Sequence, residues 1–151
     1  MKAITLWQPW ATLVMLGYKT YETRQWSTQY RGPLAIHAAK REPVHVQSLM
    51  LSQRKRQRER SQVFRECLAK HGLAYSTLPR GAVLGIVQLD DVVPVEQIRY
   101  VVNAFNRVFG DWSDGRFAWR LSNIQTFRNP VLAQGKQGLW DWSGSEYNYS
   151  H

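Results

Sequence analysis

The stretch "GAVLGIVQLDDVV" (81–93) constrains this chain most. It is apolar and β-branched and is bounded by Pro79, Gly81 and Pro94, so it predicts a buried strand. A buried strand needs partners, because its backbone N–H and C=O groups cannot be left unpaired away from water. The chain supplies them. "KAITLW" (2–7) alternates and is rich in β-formers, "TYETR" (20–24) is extended, and "PLAIHA" (33–38) follows a Gly32-Pro33 break. "RFAWRLSNIQTF" (116–127) follows the turn "DWSDG", and "LWDW" (139–142) follows the turn signals "NPV" and "GKQG".

Helical patterns interrupt these strands only in places. "QPWATLVMLG" has Pro9 where a helix can begin and Gly17 where one can end, with Trp10, Leu13 and Val14 on one face. "PVEQIRYVVNAFNRVFG" (94–110) places Val95, Ile98, Val101, Val102 and Phe105 on one face of a single amphipathic helix. Residues 43–75 read as a basic helical insertion: "VHVQSLML" and "VFRECLAKHG" flank "SQRKRQRERS". That middle run carries Arg54, Lys55, Arg56, Arg58 and Arg60, either as a solvated face or as a phosphate-binding arm. Regular βαβ alternation is absent. The prediction is an α+β fold over residues 1–142: a small, mixed, mostly antiparallel β-barrel with flanking helices. Residues 143–151 are expected to form a frayed tail.

Charge narrows the function. Lys plus Arg number 20 against 11 Asp plus Glu, giving +9, and there are seven Trp. Excess cation favours a polyanion, and aromatics can stack bases. No GxxxxGK[ST], GxGxxG or HExxH occurs, and His37, His45, His71 and His151 lack metal-ligand spacing. The single cysteine, Cys67, excludes an intramolecular disulfide and a cysteine-cluster metal site; a core or surface thiol is expected. Neither metal nor cofactor is predicted. The start "MKAITLWQPW" has no long apolar h-region, and no apolar run approaches the roughly 18 residues of a membrane span. A cytoplasmic protein with no membrane partner is expected. His45 and His71 read as surface residues. His37, closing a buried strand, reads either as a histidine held by a backbone partner or as a group at a barrel mouth.

The segment "LGYKTYETRQWSTQYRG" (16–32) crowds Lys19, Glu22, Arg24 and Arg31 among Tyr21, Trp26 and Tyr30. On an extended chain Thr20, Glu22 and Arg24 share a face, while the direction of Lys19 depends on the turn after the helix. The cluster is either an ion pair that fixes the turn or a binding site.

"ITLWQPWATLVMLGYKTYETRQW", followed by "YRGPLAIHAAK", resembles the ASCH domain (activating signal cointegrator-1 homology). Its G-x-K-x-x-E-x-R signature appears as Gly17, Lys19, Glu22 and Arg24; "GAVLGIVQLDDV", "GRFAWRL" and "QGLWDW" look like its later strands. The resemblance implies a PUA-like β-barrel with a cleft beside the helix preceding the signature. It also implies binding of RNA, favoured over DNA, or of a modified nucleoside. Carried over by position, the ligand-binding set is Trp7, Gln8, Pro9, Lys19, Glu22, Arg24, Trp26, Tyr30, Arg31 and His37, with Trp10 read as core. One branch of the family hydrolyses N4-acetylcytidine with a lysine, a threonine and a glutamate. Lys19 matches that lysine, but Glu22 stands where the threonine nucleophile is expected. The alternative function is therefore a small amidohydrolase or ribonuclease in which Glu22 acts as general base and Lys19 stabilises an oxyanion.

Overall fold

The computed structural model describes residues 1–146. Six strands form one sheet: β1 (Lys2–Leu6), β2 (Tyr21–Arg24), β3 (Gly32–Ala38), β4 (Ala82–Pro94), β5 (Phe117–Leu132) and β6 (Leu139–Asp141). The helices are α1 (Trp10–Met15), α2 (Val44–Leu51), α3 (Lys55–Ala69), α4 (Val95–Ile98) and α5 (Ala104–Phe109). Strand order is β2-β5-β4-β3-β1-β6, and every pairing is antiparallel except β1 with β3.

The predicted long strand is the spine of this sheet. β4 and β5 form an antiparallel ribbon; β2 pairs with residues 117–120 of β5, while β3 pairs with residues 82–89 of β4. These are opposite ends of the ribbon. Register shifts along β4 increase its local twist, and the sheet curls until its remote strands approach each other. Arg24 on β2 donates from Nη2 to the Thr5 carbonyl of β1 at 2.8 Å. Among the described residues β2 and β6 share no ladder, so the expected barrel is a half-barrel.

Gly85 marks where α1 crosses the ribbon. A Cβ there would lie 2.4 Å from the Gln125 carbonyl oxygen and 2.8 Å from Met15 Sδ. The thioether can move; the backbone carbonyl cannot without breaking the β4–β5 ladder. Gly85→Ala is expected to cost about 1–3 kcal/mol as an overpacking strain. Urea denaturation checks this, and an unchanged midpoint would refute it.

Helix α1 ends as its sequence predicts. Gly17 adopts φ 84°, Tyr18 N–H bonds the Leu13 carbonyl and Gly17 N–H bonds the Val14 carbonyl, a Schellman turn. Residues Ala11–Met15 are all buried because the helix is covered on two sides. Val14 and Met15 join Ile4, Leu34, Ile36, Leu89 and Trp119 in the sheet core, whereas Leu13 joins Val46, Met50, Phe64, Cys67 and Leu68 of the insertion. The insertion thus has a core of its own. Burial pushes the Cys67 thiol up in pKa, in keeping with a packing residue. Its base is locked by Glu42, which accepts from Tyr75 Oη at 2.5 Å and from Arg80 Nη2 at 2.7 Å.

Three expectations need correction. The helix over 94–109 is two short helices, because Asn103 caps α5 by accepting from Asn106 N–H at 2.9 Å; Val101 is left exposed between them. "NPV" does not end a strand. Residues 127–130 oppose Leu84 alone in a wide irregularity of the ladder, where Pro130 has no hydrogen bond to lose. Residues Ser143–Glu146 form a short 3-10 turn rather than a frayed end, and the remainder of the predicted tail lies outside the described residues. No helix among the described residues is long and apolar enough to cross a membrane.

Candidate functional site

The Schellman turn sets the direction of Lys19. The chain leaves α1 in a left-handed step at Gly17, and Lys19 N–H still bonds the Leu13 carbonyl at 3.2 Å. Its side chain turns inward and is 1 % exposed. Asn106 of α5 holds the next residues: its Oδ1 accepts from Thr20 N–H at 2.9 Å and Tyr21 N–H at 3.0 Å, and its Nδ2 donates to Thr20 Oγ1. Nothing in the sequence singled out Asn106. Its one signal is a second asparagine three residues after the Asn103 cap, inside a stretch whose hydrophobic period predicts a single helix.

Lys19 Nζ donates to the Tyr21 carbonyl and lies 3.5 Å from Glu22 Oε1. Glu22 Oε1 also accepts from Thr23 N–H at 3.0 Å, while Oε2 faces Arg24 Nη2 at 3.4 Å. Both side-chain ion-pair contacts are long, so the carboxylate keeps capacity to accept from a ligand. Burial pushes the Lys19 ammonium below the ordinary lysine range, opposed by the neighbouring Glu22 carboxylate.

Glu22, Thr23 and Arg24 form one wall of a cleft of about 2120 Å³ between β2, the ends of β1 and β3, the insertion and the loop 133–138. Trp7 borders it at 45 % exposure, edge-on to His45 at 5.9 Å. Trp26 lines it while packing edge-on against Trp119 at 4.9 Å. Cations are among its lining residues: Arg24, Lys40, Arg60, Arg80, Arg116 and Lys136. Arg80 is engaged with Glu42, and Arg116 donates to the Thr23 carbonyl at 3.0 Å. Lys40 and Arg60 make no hydrogen bond or ion pair among the described residues, although both border the cleft. The sequence reading missed Lys40, His45, Arg80, Arg116 and Lys136, which lie scattered along the chain and meet only through the curl of the sheet.

His37 supports the cleft loop. It is 1 % exposed; Nε2 donates to the Ala133 carbonyl at 2.7 Å and Nδ1 accepts from Thr5 Oγ1 at 3.2 Å. Burial pushes its pKa down, holding the neutral ring. Gly135 packs on that ring so closely that a Cβ would lie 2.6 Å from His37 Cε1. The backbone-partner reading of His37 is therefore realised, at the cleft's edge.

Four residues from the predicted set lie elsewhere. Gln8 is fully buried, donating to the Pro79 carbonyl at 2.9 Å and accepting from Thr12 N–H at 3.0 Å, which ties α1 to the end of the insertion. Pro9, after a cis peptide bond, is buried at the start of α1. Tyr30 bonds the Pro33 carbonyl and packs on the sheet core; Arg31 points outward to Asp91 at 3.4 Å. Chain proximity put them in the set; the turn at 25–31 carries Tyr30 and Arg31 away, and the start of α1 buries Gln8 and Pro9. Trp10, read as core, is half-buried: it packs against the insertion core with its indole N–H on the Phe109 carbonyl at 2.7 Å, and it also lines the cleft. Lys19 stands behind Glu22 and is not part of the cleft surface.

The family model of the ASCH domain matches residues 4–131. The chain belongs to the ASCH domain family. Its fold is a curled six-stranded sheet with flanking helices. Activating signal cointegrator 1 of Homo sapiens is 29% identical to this ASCH chain over 142 residues, 91% of the chain. The match covers 21% of that protein, so the chain spans about a fifth of its length. ASCH from Zymomonas mobilis has 18% identity and a TM-score of 0.47, covering 87% of this chain and 72% of that one. A mutant of the same Zymomonas protein gives 17% identity and the same TM-score, covering 87% and 74%.

Proposed function

We propose that the cleft binds RNA or a modified nucleotide, with the nucleobase against Trp7 and the carboxylate of Glu22 reading its polar edge. The observation that carries this reading is the joint presence of an exposed Trp7 and two unpartnered cations, Lys40 and Arg60, on one concave surface. Aromatic faces stack bases without regard to sequence, and cations nearby take the phosphates. Glu22 can accept from an exocyclic amine, and Arg24 holds that carboxylate in place from the β1 side.

Lys19 enters as a positioning residue. The hydrolase alternative needs its ammonium at the reacting atoms, whereas its 1 % exposure leaves it in contact with Glu22 and the Tyr21 carbonyl. Binding is the reading this favours.

Trp7→Ala should weaken binding of a short RNA by about 1–3 kcal/mol, the usual loss for one stacked base. Wild-type affinity should fall with salt by a slope of about 0.7 for each phosphate neutralised. Glu22→Ala combined with Arg24→Ala should flatten discrimination among bases. Fluorescence anisotropy across a salt series reads all three. A flat salt response together with wild-type affinity in Trp7→Ala would sink the proposal.

A further inference from the structure

Helix α3 separates its charges by face. At 100° per residue, Arg56, Arg60, Val63 and Cys67 fall on one stripe, at spacings of four, three and four. Cys67 is buried, Val63 packs on the insertion core and Arg60 borders the cleft, so this stripe is the cleft-side flank. The acidic residues Glu59 and Glu66 lie on the outer face with Lys55 and Gln62, where Gln62 Nε2 donates to Glu66 Oε1 at 2.7 Å. A helix face that serves only solubility intersperses both signs. Here the cleft-side flank holds cations alone.

Engagement follows the same division. Arg58, on the opposite flank, donates to Gln53 Oε1 at 3.1 Å, and Arg65 donates to the Arg58 carbonyl. Arg56 and Arg60 are exposed and make no hydrogen bond or ion pair among the described residues. They stand one helical turn apart, about 6 Å along the axis. The cleft volume, about 2120 Å³, also exceeds the roughly 300–1,000 Å³ of an ordinary small-molecule site. Space and positive charge both continue past the place where a single nucleotide would end.

Resting on the cleft reading above, we infer that the ligand is a single strand several nucleotides long. It leaves the Trp7 end of the cleft along the Arg60–Arg56 flank of α3, which takes successive backbone phosphates. The insertion is then a length sensor: it adds affinity for a continuing strand and nothing for an isolated nucleotide. An acidic peptide could satisfy the cations but would gain nothing from the aromatic side chains that line the same cleft as Arg60.

The test compares fluorescein-labelled oligouridylates of three and twelve nucleotides by anisotropy, using the whole chain. With wild-type protein the 12-mer should bind about tenfold or more tightly than the 3-mer, and with a steeper salt slope. Arg56→Gln should remove most of that advantage and lower the 12-mer slope by about 0.7. Lys55→Gln removes the same charge from the outer face and should leave the length ratio in place. Equal affinity for the two lengths, or equal loss from both substitutions, overturns the inference while leaving the cleft reading intact. A polyglutamate peptide competing as well as the 12-mer also overturns it. Failure of both oligonucleotides to bind removes the cleft reading, and this inference with it.

Discussion

Glu42→Ala should lower stability by about 3–5 kcal/mol, the range for removing one partner of a buried ion pair. The Glu42 carboxylate is 2% exposed and holds Arg80 through Nε and Nη2, with Tyr75 Oη as a third donor. Its removal leaves a guanidinium and a phenol without their acceptor at the base of the insertion. Arg80 borders the cleft, where water can reach it, so the lower end of the range is expected. For a domain of this size that amounts to a fall in Tm of roughly 10 °C. Tyr75, pushed up to about 12 chiefly by burial and then by Glu42, reports on the same cluster. Because its folded pKa lies above its unfolded value, the stability it contributes is whole below about pH 10 and is lost as pH rises towards 12. Urea denaturation of wild type and variant decides the point; a loss below about 1 kcal/mol would mean that the cluster contributes little.

Lys19→Met should move stability the other way. The two buried pairs differ in which effect wins. Pairing with Glu42 raises the pKa of Arg80, whereas desolvation outweighs Glu22 and lowers that of Lys19. A charge whose folded pKa is shifted against its charged form costs stability in that form. Replacing a whole buried ion pair by apolar side chains is commonly neutral or stabilising, by about 1–4 kcal/mol, and removing one partner is costly only where the other charge is left unpaired. Glu22 is not orphaned in this variant, because Thr23 N–H and Arg24 remain. The sign with pH follows. Below the lowered folded pKa both states carry the proton and the penalty is complete. Between that value and 10.5 the unfolded chain binds more protons, so wild-type stability rises with pH relative to the variant. RNA affinity should fall in the same variant, since Glu22 loses the ammonium behind it. A variant that is both less stable and fully competent in binding would contradict this account.

The strands were legible in the sequence because their signals are local. "KAITL", "YETR" and "PLAIHA" fall where the structure places β1, β2 and β3, and Gly17 ends α1 as read. The split of the 94–109 helix was hidden because hydrophobic period outweighed one capping residue, Asn103. The site was half legible for a related reason. Trp7, Glu22, Arg24, Trp26 and His37 do border one cleft, since short turns hold neighbours together. Lys40, Arg60, Arg80, Arg116 and Lys136 reach it from five further places along the chain, and only the curl of the β4–β5 ribbon brings those together. Chain proximity also misled: Gln8, Pro9, Tyr30 and Arg31 sit beside site residues in sequence and turn away from them in space.

Helix α1 has a wider consequence. It is only six residues long, yet it lends Val14 to the sheet core and Leu13 to the insertion core. Such a segment is a shared beam between two rooms, and neither wall stands after it is pulled. The insertion therefore cannot be trimmed away as a decoration or grafted onto another barrel by cutting at residues 43 and 75. Melting of the basic helices and melting of the sheet should be one cooperative event. The cleft wall then inherits its rigidity from the same core that holds Lys19 in place.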